Sequence, residues 1–159
     1  MKMKSPKLYE HLRKESILTM PCKTTLRKYL KSYKTGFGFS AKVLDVLSKK
    51  TTAMDLFQRH GGLIVDEMKL SEQLSVTTAG HIEGFVDLGS FTSEGDKHTV
   101  CDHGMVMMSV PFVGKWTQVI VVFATKVNIK GTLLTKIMLE AVILVEKAGL
   151  MVDFITSDG

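Results

Sequence analysis

The stretch Gly62-Leu63-Ile64-Val65-Asp66-Glu67-Met68-Lys69-Leu70 constrains the fold more than any other. Leu63, Ile64 and Val65 do not alternate with polar residues, so a strand here is buried on both faces. The run ends in a carboxylate, which is costly to bury without a partner. A metal ion, a cationic side chain or a set of hydrogen-bond donors would supply one. The chain closes on the same pattern, Val152-Asp153-Phe154-Ile155-Thr156-Ser157-Asp158-Gly159. Two apolar strands therefore each run into an aspartate, Asp66 and Asp158, 92 positions apart.

Charge divides the chain. Residues 1–60 carry 14 Lys and Arg against 4 Asp and Glu, a net +10, whereas residues 61–159 carry 7 against 12, a net −5. A basic front beside an acidic, apolar back argues for two units, 1–60 and 61–159. The front favours a polyanion, and the back holds the carboxylates a cation needs. The densest apolar stretch, Leu133 to Val145, is interrupted by Lys136 and Glu140, so no membrane span or membrane partner is expected. Two distant cysteines, Cys22 and Cys101, lack metal-ligand spacing and point to a reducing compartment.

The front half reads as short helices. Residues 6–17 form one, and Met20-Pro21 breaks it. Thr24 or Thr25 caps a second, with Leu26, Tyr29 and Leu30 on one face and Lys23, Arg27, Lys28, Lys31 and Lys34 on the other. Ser40 caps a third with Val43, Leu44 and Leu47 inward, and a fourth runs over roughly 52–59 until Gly61-Gly62. This layout is consistent with a helix-turn-helix unit that offers Lys23, Arg27, Lys28 and Lys31 to DNA. A small bundle with an ordinary solvated lysine face fits it too, and from pattern alone is the commoner case.

The back half reads as strand, hairpin, loop, two strands, helix, strand. The small hairpin spans 74–86 around Gly80, and residues 89–103 form an exposed, mobile loop. Strands at 104–112 and 117–125 pair as a hairpin across Gly114-Lys115-Trp116. A helix from Thr132 or Gly131 to about Ala148 stops at Gly149. The class is α+β with a mixed sheet, β-β-β-α-β, whose last strand returns parallel to the first. That topology brings Asp66 and Asp158 into one cleft. Neighbouring aspartates repel unless a cation lies between them or one is protonated, and such oxygen ligands suit Mg²⁺ or Mn²⁺. An aspartate before Gly159 also serves as an ordinary turn former. Asp153 is expected at a strand start, in solvent.

Asp66-Glu67-Met68-Lys69, the block Gly80 to Gly89, Gly114-Lys115-Trp116, Leu139-Glu140-Ala141 with Glu146 to Leu150, and Thr156 to Gly159 together resemble the P-element-like transposases. That group includes transposases with an N-terminal THAP zinc finger. Residues 21–31 also resemble the helix-turn-helix segment that precedes the catalytic core in this family. The resemblance implies a partial RNase H-like domain and a metal-dependent DDE/D mechanism that cuts and joins DNA. It makes Asp66 and Asp158 the first and second catalytic acids and Mg²⁺ or Mn²⁺ ligands. The third acid and the guanine-nucleotide-binding insertion belong further downstream, and two cysteines cannot supply the THAP finger. The expectation is thus a transposase fragment, inactive alone, with DNA (transposon ends or target) as partner, a homo-oligomer left open, and the nucleus as location. The alternative is a non-enzymatic DNA-binding protein derived from a transposase.

Overall fold

The computed structural model describes residues 11, 14, 15, 22, 24, 25, 36–72, 74–76, 80–126 and 129–157. The chain divides into two compact units, Met1–Thr35 and Gly36–Gly159. In the first, Thr24 and Thr25 are helical. The expected basic residues Lys23, Arg27, Lys28 and Lys31 lie outside the described residues.

The second unit is built on a five-stranded mixed sheet. Its elements are β1 (Gly38–Phe39), α1 (Ala41–Thr52), β2 (His60–Lys69), β3 (Ser75–Val76), β4 (Ile82–Glu83), β5 (His103–Pro111), β6 (Gln118–Thr125), α2 (Gly131–Lys147) and β7 (Met151–Ser157). The sheet order is β1-β6-β5-β2-β7, and β3-β4 form a separate two-stranded hairpin. β2 pairs antiparallel with β5, β5 with β6, and β2 parallel with β7. The parallel partner returns through α2, as the β-β-β-α-β reading requires.

Register sorts side chains between the two faces. Val65 stands opposite Met107, Met107 opposite Val121, and Met105 opposite Phe123. These residues and Leu63 are buried in one cluster with Ile137, Ala141 and Val145 of α2. The spacing of those three, four residues apart, puts them on one helical stripe. The second face carries Ile64, Asp66, Val106 and Met108, paired by the same register. It also carries Phe154, whose ring lies over Gly62. A β-carbon on Gly62 would come within 2.4 Å of that ring, so only glycine leaves room for it.

The fourth expected helix, 52–59, is replaced by the end of α1 at Thr52 and a single 3-10 turn at Phe57–Arg59. Ser40 begins α1 without a side-chain cap; its carbonyl accepts the Leu44 amide instead. More important is where α1 belongs. Leu47 is 1% exposed and joins the sheet's core. Thr51 donates its hydroxyl to Ala148 O at 2.6 Å. Lys50 lies 3.5 Å from the Trp116 ring centroid, a cation–π contact, and burial lowers its pKa. At the end of α2, Gly149 takes φ +93°, and a side chain there would also strike Thr51. The helix read as the third of a basic unit thus packs with the sheet.

Residues 89–103 are folded rather than loose. A 3-10 turn spans Gly89–Phe91, and Phe85 bridges Val100. The Cys101 amide donates to Gly84 O, and Cys101 and Asp102 are buried. Serine and threonine side chains bond within the segment, as Ser93 Oγ does to Asp96 Oδ2. The polar composition that reads as solvent exposure instead supplies local turn-stabilising bonds.

Leu47→Ala should cost about 2–5 kcal/mol, the range for emptying a buried leucine site. Val46→Ala, at a position 55% exposed, should cost little. Urea unfolding of both variants measures this; equal, small losses would mean that α1 is not part of the core.

Candidate functional site

Asp66 is an exposed carboxylate on the second face of β2. It does not end its strand, because β2 runs on to Lys69. It does come one position after the last described parallel pair, Val65↔Ser157. The sequence partner Asp158 follows Ser157 and lies outside the described residues. Up to that pair, the fold brings the two strands together in the orientation the sequence reading requires.

Glu67, the other acid in the stretch, points to the opposite face, as strand alternation demands. There Thr125 Oγ1 donates to Glu67 Oε1 at 3.0 Å. Thr125 is 1% exposed, so this bond holds one oxygen of the exposed Glu67 carboxylate at the end of β6, on the face away from Asp66. Nearby, His103 Nδ1 lies 2.7 Å from Asp102 Oδ1. The Asp102 amide donates to Thr125 O, and its carbonyl accepts the Leu70 amide at 2.6 Å. This pair ties the folded insert to the sheet. Its place opposite Lys69 puts His103 on the face away from Asp66. Among the described residues, no three His, Cys, Asp or Glu side chains converge as a metal-binding group. As a hard, exposed oxygen donor, Asp66 fits one ligand position of a divalent ion such as Mg²⁺.

Asp153 is not a free residue at a strand start. It lies within β7, and its Oδ2 accepts the Gly61 amide at 3.0 Å. Its Oδ1 lies 3.0 Å from His60 Nδ1. Strand alternation gives no sign of this contact; the Gly61-Gly62 pair preceding an apolar run is the only local hint of irregular pairing.

β2, β6 and β7 run in the same direction. The end of β6 and the start of α2 therefore lie at the end of the sheet toward which β2 carries Asp66. A cavity of about 390 Å³ opens there, with Val86, Leu88 and Leu133 inside and Lys126 and Lys130 among its lining residues. Both lysines are exposed. In the first unit, Cys22 rather than a threonine stands before the helix. The Thr25 amide donates to Cys22 Sγ at 3.4 Å, and the Thr25 hydroxyl lies 3.0 Å from the same sulfur. These bonds lower the thiol pKa to about 7, because they favour the thiolate.

Residues 35–159 match the family described as TNP-like, RNase H N-terminal domain, and the chain belongs to that family. It is 26% identical over 113 residues to human DNA transposase THAP9, covering 70% of this chain and 12% of that protein. A chain of the Drosophila P element transposase strand transfer complex has a similar structure, with a TM-score of 0.68 at 20% identity. That match covers 98% of this chain and 30% of the P element chain. The fold is thus the mixed, RNase H-like sheet of a P-element-like transposase, and the chain spans well under two thirds of either relative's length.

Proposed function

We propose that this chain carries the first part of a transposase catalytic core, in which Asp66 and Asp158 hold a divalent metal ion at a DNA phosphodiester. The observation that carries the reading is the position of Asp66. It is an exposed acid on the open sheet face, one residue beyond the parallel pair Val65↔Ser157. Continued by one position, that register joins 66 to 158.

A bound Mg²⁺ or Mn²⁺ would supply Lewis-acid stabilisation of charge on phosphoryl oxygens and a more acidic water. The chain's own contribution is positional. The β2–β7 ladder pairs the two strands as far as Val65 and Ser157, the residues before the two acids, and strand alternation turns Glu67, bonded to Thr125, to the other face. The sheet's buried face makes the support rigid. DNA is the substrate that fits the family and the charge pattern. Lys126 and Lys130 lie at the acid's end of the sheet, and Lys23, Arg27, Lys28 and Lys31 supply the basic front segment. Further carboxylates are needed for a two-ion centre, so strand cleavage and joining require groups beyond these two acids. With DNA as the proposed substrate, the nucleus is the proposed location.

Calorimetric titration with Mn²⁺ tests the metal site. The chain should bind the ion, and Asp66→Ala and Asp158→Ala should each weaken binding by tenfold or more. Undiminished binding in either variant would contradict the assignment. The paired change Arg27→Ala with Lys28→Ala should weaken DNA binding and flatten its dependence on salt by about two counterions. An unchanged salt slope would remove those residues from the interface.

A further inference from the structure

The parallel ladder between β2 and β7 contains one irregularity. His60 pairs with Met151 and Gly61 with Val152, but Gly62 pairs with Phe154. Asp153 is the extra residue, so the offset between the strands changes from 91 to 92 at this point. An extra residue is left out of the ladder at a bulge, and a backbone N–H freed there needs an acceptor. The Asp153 carboxylate provides it: Oδ2 accepts the Gly61 amide at 3.0 Å, and Oδ1 lies 3.0 Å from His60 Nδ1.

The consequence reaches the other end of the strand. Continued past the last described pair, Val65↔Ser157, an offset of 92 would join position 66 to position 158. Were the offset to stay at 91, Asp66 would face Ser157. Asp158 would then move beside Glu67, on the opposite face of the sheet, because a one-residue slip reverses every side chain. Phe154 would also leave its place over Gly62, where its ring stacks on Phe112 at 5.6 Å.

We infer that Asp153 is a positioning residue for the Asp66–Asp158 pair: its carboxyl oxygen, by taking the Gly61 amide, sets the strand register that puts the second acid beside the first. His60 orients that carboxylate from the adjacent position. The inference rests on the metal-site reading above, but its geometric part is independent of it.

The test compares the full chain with Asp153→Ala and Asp153→Asn. Asparagine keeps an oxygen that can accept the Gly61 amide, whereas alanine does not. Two readouts are taken: contacts between β2 and β7 from nuclear Overhauser effects, and Mn²⁺ affinity. The unaltered chain should show Ile64 beside Thr156. Asp153→Ala should show Ile64 beside Ile155 and bind Mn²⁺ at least tenfold more weakly. Asp153→Asn should keep both properties. An alanine variant that keeps the Ile64–Thr156 contact overturns the inference, even if it melts at a lower temperature. Equal slippage in the asparagine variant also overturns it, since the acceptor would then not be the cause. If the unaltered chain binds no Mn²⁺, the metal reading fails, and the contact pattern alone decides the register claim.

Discussion

The parallel pairing of β2 with β7 is the contact on which the rest of the domain depends. It is a long-range joint that a tight turn cannot make. It requires a crossover, here through α2. The joint also has two registers. Its start follows closely on Gly149 at the end of α2 and pairs at an offset of 91, while from Gly62 onward the strands pair at an offset of 92. One extra residue, Asp153, reconciles the two. Gly62 takes part as well, since the register that pairs it with Phe154 leaves no space for a side chain.

The two sheet faces divide the labour. One is closed by α2, and Leu47 of α1 completes the same core. Polar groups at its upper edge are bonded: Thr125 with Glu67, and Asp102 with His103. Buried polar groups left without partners would cost about 1–3 kcal/mol each, and no buried side-chain nitrogen or oxygen among the described residues lacks one. The other face is half-open, with Phe112 58% and Phe154 39% exposed. Asp66 stands on that face. A carboxylate on that face keeps its contact with water, whereas the closed face would strip it away.

Much of this was legible in the sequence. Apolar run and terminal acid located β2, because a strand buried across its middle has no polar alternation. The 3.6-residue stripe of Ile137, Ala141 and Val145 located α2, and Gly149 its end. The order β6-β5-β2-β7 followed from the short β5–β6 connection and a helical return, whereas the edge strand β1 lies in Gly36–Phe39, which its glycines mark as a turn. What escaped notice has physical causes. Net charge grouped α1 with the basic front, but charge describes the solvated face, whereas a single stripe through Leu47 decides where a helix packs. Polar residues at 89–103 concealed a turn network that buries Cys101. The bulge at Asp153 was invisible because strand periodicity presumes regular pairing. Asp158, Lys23, Arg27, Lys28 and Lys31 were singled out by sequence and lie outside the described residues, so their roles rest on pattern and family.

The most direct test of the central claim is paramagnetic broadening of amide signals by substoichiometric Mn²⁺ in the isotopically labelled chain. The account expects losses centred on Val65–Glu67 and Ser157–Gly159, the two segments that begin at the paired residues Val65 and Ser157. Broadening centred instead on Asp102–His103, or none at either strand end, would contradict it.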